Sequence, residues 1–108
     1  MAKRKVDKNI KDTIDKYISK ISEHYKIDAV YLFGSFARGS QHEYSDIDIA
    51  VVSNDITDEM DDMAKMMTLS WGIDTRIEPH PIKTEDFYKK ETMFVNEVIR
   101  TGILLYLV

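Results

Sequence analysis

The stretch of sequence that decides the fold is Phe33–Val52, FGSFARGSQHEYSDIDIAVV. The run Asp28–Phe33 leads into it and stops at Gly34-Ser35, which predicts a buried strand that ends in a tight turn. Its last seven residues, Asp46–Val52, are rich in β-branched side chains and predict a second strand. The polar residues 35–45 between them predict a loop with room for one helical turn. The stretch therefore predicts two strands joined by a polar loop.

Two aspartates, Asp46 and Asp48, lie at the start of the second predicted strand. Side chains two residues apart share one face of a strand and lie about 6.7 Å apart along it. Two like charges on a partly buried face repel each other unless a proton or a cation lies between them. Mg²⁺ binds carboxylate oxygens and usually shares its shell with substrate phosphates, so the pair is a candidate site for one or two cations. The structural alternative is a cap at Asp46 and a solvated side chain at Asp48.

The turn after the first predicted strand has the features of a phosphate site. Gly34 permits backbone conformations that other residues avoid and lets a phosphate approach the chain. Ser35 offers a hydroxyl and a backbone N–H, and N–H groups at a tight turn suit anions. Arg38 adds a permanent positive charge, and Gly39 turns the chain back. A simple strand-ending turn is the alternative interpretation of Gly34-Ser35 alone, but the motif would bring a phosphate site and a metal site to the same end of one sheet.

Hydrophobic periodicity predicts three helices around these strands. Apolar residues at spacings of three and four extend over residues 3–26, 56–70 and 84–100. Thr57 and Asp58 offer capping at the start of the second helix. Within that helix and just after it, core packing is the predicted role of the apolar side chains Met60, Met63, Met66, Met67 and Trp71.

The remaining segments predict one or two further strands. Ile73–Glu78 predicts a third strand, and Pro79-His80-Pro81 is expected to end it because proline cannot donate to a strand ladder. The apolar tail Ile103–Val108 predicts a short strand or a contact surface. We therefore expect an α/β (α+β) fold with one domain over residues 1–108, a small mixed central sheet and helices packed mainly on one face.

Composition excludes several functional classes. The 108 residues carry 15 Lys+Arg against 19 Asp+Glu, a net charge of −4, which argues against a general nucleic-acid binder. Cysteine is absent, which excludes thiol catalysis and Cys-ligated zinc. No apolar run approaches the ~20 residues of a membrane span, and no apolar stretch follows the basic start, so neither a membrane segment nor a secretory signal is expected. A cytoplasmic protein is the expectation.

The combined motif resembles the signature of the nucleotidyltransferase superfamily related to β-type polymerases. More narrowly, the short chain is similar to the antitoxin-type minimal nucleotidyltransferases of that superfamily. This resemblance implies that Gly34 and Ser35 contact nucleotide phosphates, that Asp46 and Asp48 hold divalent metal, and that Arg38 either touches phosphate or braces the loop. The positions that match the signature, and that we expect at the nucleotide and metal sites, are Gly34, Ser35, Arg38, Gly39, Ser45, Asp46 and Asp48.

The family's catalytic set includes a third carboxylate on a neighbouring strand. Glu78 and Asp74 both offer one on the same face of the predicted third strand, so spacing leaves the two open, with a solvated, salt-bridged face as the structural alternative. The proline turn after Glu78 favours Glu78 as the third catalytic and metal-binding residue, although glutamate replaces the family's usual aspartate. His80, inside that turn, is expected to be a turn residue, with contact to a base or phosphate as the alternative.

The resemblance implies a metal-dependent nucleotidyltransferase that moves a nucleoside monophosphate, AMP from ATP in the expected case, to an acceptor hydroxyl. Two Mg²⁺ ions are expected, with Mn²⁺ as an alternative. Short members of the group often pair with a helical HEPN-type toxin, which some of them nucleotidylate; a homo-oligomer is a further option. Two other functions stay open: a silent nucleotide-binding antitoxin that neutralises a HEPN-type partner by contact, and transfer to a small molecule.

Overall fold

A computed structural model of the chain describes residues 6–42 and 44–108. The chain order of its elements is α1 (Lys8–Ile21), β1 (Ile27–Phe33), α2 (Ser35–Arg38), β2 (Ile47–Ser53), α3 (Glu59–Leu69), β3 (Ile77–Lys83), α4 (Thr84–Lys89), α5 (Met93–Thr101) and β4 (Ile103–Leu107). The predicted fold class, a mixed sheet with helices, is confirmed. No helix within the described ranges combines the length and the apolar character that crossing a membrane requires.

The four strands form one mixed sheet in the order β3-β2-β1-β4. β1 runs antiparallel to both of its neighbours, whereas β2 and β3 are parallel. The predicted strands before and after the polar loop are therefore the two central strands. Hydrophobic side chains on both of their faces are buried, which explains the nearly continuous apolar runs of β1 and β2.

Helices cover both faces of the sheet. The two long helices, α1 and α3, lie on one face as predicted, where α1 buries Ile10, Ile14, Tyr17 and Ile21 and α3 buries Met66. The shorter α4 and α5 pack on the other face and bury Phe87, Val95 and Val98 against Ala29, Ala50 and Val52. The candidate site residues lie on this second face, because Asp48 alternates with the buried Ile47 and Ile49 of the first core.

The first and second predicted helices are confirmed with shorter bounds. α1 begins after Asp7, whose carboxylate accepts hydrogen bonds from two backbone N–H groups, and it ends before Ser22. Residues 3–5 of the prediction lie outside the described residues. Asp58 caps α3 as predicted, but the helix starts at Glu59 rather than at residue 56. Core packing is confirmed for Met66 and wrong for Met60 and Trp71, which are 84% and 64% exposed.

Two further expectations about elements are wrong. The third strand spans Ile77–Lys83, so Pro79 and Pro81 lie inside it instead of ending it. β3 is an edge strand, where two prolines two residues apart can both direct their ring nitrogens away from β2. The helix predicted over 84–100 is two helices, divided by Lys90 in the left-handed conformation and by Thr92, whose side chain caps α5.

Candidate active site

Three strand ends meet at one edge of the sheet. Because β1 is antiparallel to β2, the end of β1 faces the start of β2, and Phe33 pairs with Asp48. Because β3 is parallel to β2, their starts lie side by side, and Asp48 pairs with Glu78. Asp46 comes one residue before β2, and its carboxyl shares a hydrogen bond with that of Glu78. The topology thus brings together the three carboxylates predicted to bind metal.

The turn at Gly34 lies directly against these carboxylates. Gly34 has φ +73° and ψ −152°, a conformation that other residues rarely adopt. A Cβ added at this position would overlap the Asp48 carboxylate. The Gly34 carbonyl accepts the N–H groups of Ala37 and Arg38, which starts the short helix α2. Glycine is therefore required here for two reasons, the backbone conformation and the close approach of Asp48.

The cluster carries an excess of negative charge. Burial first, then the hydrogen bond to Asp46 and the charge of Asp48, raise the pKa of Glu78 above its ordinary value, and His80 partly opposes them. Where neighbouring negative charges raise the pKa of a carboxyl, a cation bound among them stabilises its ionised form. The donor set, three carboxylates from two adjacent strands, is also the chemistry that Mg²⁺ and Mn²⁺ prefer. The residues present therefore fit a divalent cation.

The imidazole of His80 belongs to the same cluster. Its Nε2 lies 3.3 Å from Oδ1 of Asp48 and 3.8 Å from Oε1 of Glu78. The interpretation of His80 as a turn residue is wrong, because it lies within β3 on the face that carries Glu78. Sequence reasoning missed it because it assumed that the two flanking prolines end the strand. The available signal was the two-residue spacing from Glu78, which places both side chains on one face of a strand.

Asp74, the alternative third carboxylate, has a different environment. It lies in the segment before β3, and Arg76 holds it: Nη2 of Arg76 donates to Oδ2 of Asp74 at 2.8 Å, and Nε donates to Oδ1 at 3.1 Å. These hydrogen bonds lower the pKa of Asp74. The Arg76 guanidinium also lies 5.8 Å from the centre of the Phe36 ring. The structure thus brings Glu78 next to Asp48, whereas the carboxylate of Asp74 is already paired with the guanidinium of Arg76.

A cleft of about 730 Å³ opens over this edge of the sheet. The phenyl rings of Phe33 and Phe94, 5.5 Å apart, form its apolar side, and the sequence analysis did not single out either ring. Glu78 and Gly39 do not line it; Gly39, with φ +75°, ends α2 instead. The predicted site residues that line the cleft are Gly34, Ser35, Arg38, Ser45, Asp46 and Asp48.

Ser45 and Arg38 occupy different positions in the cleft wall. Ser45 is buried, and its Oγ accepts the backbone N–H of His42 at 2.8 Å, so that it closes the loop before Asp46. Arg38, at the end of α2, is exposed. One side chain therefore shapes the loop, and the other is free to reach a ligand from the rim.

Comparison with known proteins agrees with this geometry. The chain is 31% identical over 81 residues to the protein adenylyltransferase MntA of Shewanella oneidensis, a match that covers 75% of this chain and 55% of MntA. The match covers about half the length of two of these relatives, 55% of MntA and 49% of a putative protein adenylyltransferase of Methanocaldococcus jannaschii.

Solved structures share the fold. A crystal structure of a toxin–antitoxin with AMP-PNP superposes with a TM-score of 0.67 at 26% identity, over 91% of this chain and 73% of that chain. The structure of a tri-AMPylated Shewanella oneidensis HEPN toxin in complex with MNT antitoxin superposes with a TM-score of 0.59 at 22% identity. This match covers 89% of the present chain and 71% of the matched chain. The family described as "Polymerase beta, Nucleotidyltransferase" matches residues 15–107. Since that match takes in the sheet edge with its acidic cluster and the Gly34 turn, the chain belongs to the polymerase β nucleotidyltransferase family.

Proposed function

We propose that this protein transfers AMP from ATP to a hydroxyl group of a HEPN-type partner protein. The observation that carries the proposal is that Asp46 and Asp48 line one cleft together with the Gly34 turn, while Glu78 lies beside Asp48 on the next strand. Carboxylates that bind metal and a turn that binds phosphate are the two parts that nucleotidyl transfer needs side by side.

The turn and the rim would bind the triphosphate. Ser35 offers its hydroxyl and backbone N–H directly after Gly34, where no side chain blocks a phosphate. Arg38 is exposed at the rim and has the charge to pair with phosphate oxygens. Ser45 and Gly39 act indirectly in this proposal, because they fix the loop and the end of α2.

Asp46, Asp48 and Glu78 would hold the divalent cations, two Mg²⁺ ions in the proposed reaction. When bound, such ions neutralise the triphosphate and make the acceptor hydroxyl more acidic. The carboxylates would hold the cations at the edge of the sheet, and the buried side chains of β2 and β3 fix the positions of Asp48 and Glu78. In the transfer, the acceptor oxygen forms a bond to the α-phosphorus, the bond from that phosphorus to the β-phosphate oxygen breaks, and pyrophosphate leaves. Glu78 would accept the proton of the acceptor hydroxyl.

The nature of the acceptor rests on the relatives. MntA is named a protein adenylyltransferase, and the AMPylated HEPN toxin is bound to an MNT antitoxin in a complex of the same fold. The present chain shares the fold of these proteins, but its match covers 55% of the length of MntA. On these grounds we propose ATP as the nucleotide and a HEPN-type protein as the acceptor.

The experiment is an incorporation assay with a candidate HEPN-type partner protein. The protein, Mg²⁺ and ATP labelled at the α-phosphate should label the HEPN-type protein, whereas ATP labelled at the γ-phosphate should not. Asp48→Asn should lower labelling by at least about a hundredfold, since it removes a charged ligand of the cations that neutralise the transition-state charge. Asp12→Asn, an exposed aspartate of α1, is the matched control and should leave labelling unchanged.

Binding of nucleotide and partner without transfer of label to the partner or to this chain would contradict the proposal. That result would instead favour the alternative of a silent antitoxin that acts by contact. Asp74→Asn separates the two candidate third carboxylates: it should retain labelling, while Glu78→Gln should lose most of it.

A further inference from the structure

His80 is held in a defined orientation beside the carboxylates. Its ring centre lies 4.9 Å from that of Phe33 in an edge-on contact and 5.7 Å from that of Phe94. The prolines on both sides restrict the backbone that carries it. The side chain is 25% exposed, so it is largely removed from solvent while its Nε2 faces Asp48 and Glu78. An imidazole fixed in this way can bind an ion without a large loss of side-chain entropy.

The three side chains lie close enough together to bind a single ion. One ligand atom from each of Asp48, Glu78 and His80 can be chosen so that all three lie within 4.8 Å of one another. Two atoms bound to one ion at about 2.1 Å are about 3.0 Å apart in octahedral and about 3.4 Å apart in tetrahedral geometry. The distances from Nε2 to Asp48, 3.3 Å, and to Glu78, 3.8 Å, need only small adjustments to reach these values.

We propose that His80 is a metal ligand together with Asp48 and Glu78, and that its nitrogen makes this cation position prefer a first-row transition ion to Mg²⁺. The proposal rests on the function proposed above, because it concerns a cation of the same site. Carboxylate and water ligands alone suit Mg²⁺, whereas an imidazole ligand adds affinity for transition ions and little for Mg²⁺. Mn²⁺, which accepts both carboxylate and imidazole ligands, is the probe.

A second role for His80 predicts the opposite behaviour. If the imidazole acts as a positive counter-charge to Asp48 and Glu78, an incoming cation must displace it. Its removal would then strengthen the binding of Mg²⁺ and Mn²⁺ alike. Removal of His80 should therefore weaken Mn²⁺ binding if His80 is a ligand and strengthen it if His80 is a counter-charge.

The first test is cation binding without ATP or partner protein. Binding of Mn²⁺, followed by the EPR signal of the free ion, should weaken at least about tenfold in His80→Ala and His80→Asn, as expected for loss of a metal ligand. Mg²⁺ binding, followed by calorimetry, should change by less than about threefold, because Mg²⁺ gains little from imidazole. His24→Ala is the matched control, since His24 is exposed and lies outside the cleft. Equal weakening of both ions, or tighter binding of both, would overturn the proposal.

The second test needs no variant and so does not depend on folding. Pulsed EPR of the Mn²⁺-loaded wild-type protein should show coupling to a ¹⁴N nucleus, replaced by ¹⁵N coupling after labelling of histidine. Mn²⁺ bound without nitrogen coupling would overturn the assignment. Because neither measurement involves transfer of AMP, a failure of the proposed function leaves His80-dependent selectivity intact, and a failure of selectivity leaves the labelling of a partner unaffected.

Discussion

At the scale of single residues, Gly34 gives the most direct test of the site. Gly34→Ala should lower AMP transfer and cation affinity by at least about tenfold, because the new Cβ would displace the Asp48 carboxylate. It should also lower the free energy of unfolding by about 1–2 kcal/mol, because alanine is strained at positive φ. The first effect is measured by label incorporation and calorimetry, the second by urea denaturation.

Gly72 provides the matched control for that substitution. It has φ +85° and no heavy atom within 4 Å of an added Cβ. Gly72→Ala should therefore cost similar stability and leave cation affinity unchanged. If the two variants lose cation affinity equally, backbone strain rather than the contact with Asp48 accounts for the loss.

Glu78 is expected to destabilise the protein in the absence of metal. Burial and the carboxyl groups of Asp46 and Asp48 raise its pKa in the folded state. A carboxyl whose pKa is raised by folding stabilises the fold when it is protonated, and that contribution is lost as the pH rises through the folded-state pKa. Glu78→Gln should consequently raise Tm by a few degrees at pH 7 in EDTA and change it little at pH 4.

Asp74 should behave in the opposite way, which makes it the control for Glu78. Arg76 lowers its pKa, so its carboxylate stabilises the fold above the ordinary aspartate pKa. Asp74→Asn should lower Tm at pH 7, as measured by calorimetry in EDTA. A decrease of Tm in both variants at pH 7 would contradict the assignment of excess negative charge at Glu78.

Site residues that belong to a motif were predictable from the sequence. Site residues whose position depends on where a strand or helix ends were not. Asp46, Asp48 and the Gly34 turn follow from residue type and spacing, and the structure brings them together. His80 was missed because the strand was expected to end at Pro79. Phe94 falls within the apolar pattern predicted over 84–100, but its contact with the cleft depends on the packing of α5 against β1 and β3.

At the scale of elements, Asp62 of α3 accepts hydrogen bonds from the segment that follows α1 and from the loop that precedes α3. Its carboxylate is 4% exposed and accepts from the Tyr25 hydroxyl at 2.7 Å and from the N–H groups of Thr57 and Asp58 at 2.9 and 3.2 Å. Burial alone would raise its pKa, but these hydrogen bonds together lower it. The carboxylate therefore fixes the start of α3 against the segment that follows α1.

Asp62→Asn should destabilise the protein by about 2 kcal/mol at pH 7, because an amide cannot accept all three hydrogen bonds of the charged group. A carboxyl whose pKa is lowered by folding stabilises the folded state fully above its unfolded-state pKa of about 4. This stabilisation is lost as the pH falls through the folded-state pKa. The difference from wild type should therefore shrink at pH 3 in urea denaturation. Asp61→Asn, one residue away and exposed, should cost almost nothing at either pH.

Elements were predictable where periodicity runs long and were misjudged where a local conformation interrupts it. The helix over 84–100 has a continuous apolar pattern, yet Lys90 in the left-handed conformation divides it. The division lets α4 follow β3 directly and lets α5 turn toward the cleft. Hydrophobic periodicity indicates which face of a helix is buried. It does not reveal a break between two helices whose apolar residues continue the same pattern.

At the scale of the whole molecule, the sheet order determines which ends meet. Sequence gives strands in chain order and carries no direct signal that β2 and β3 are parallel neighbours, although the helix α3 between them is consistent with a crossover. That parallel pairing places Glu78, thirty residues from Asp48, beside it. The third carboxylate is thus a property of topology, which is why spacing left Asp74 and Glu78 open.

The whole molecule carries a net charge of −4, and its cleft contains Asp46 and Asp48, so it should repel a free nucleoside triphosphate. We expect AMP-PNP in EDTA to leave Tm unchanged, and AMP-PNP with Mg²⁺ to raise it. At a ligand concentration 100 times Kd, binding stabilises the folded state by about 2.7 kcal/mol. In the double variant Asp46→Asn/Asp48→Asn the repulsion is smaller and the cation site is lost, so the effect of Mg²⁺ on nucleotide binding should disappear. Binding of AMP-PNP to the wild type at equal affinity with and without Mg²⁺ would mean that the phosphates are held by the turn and Arg38 alone, and that the carboxylates do not take part in nucleotide binding.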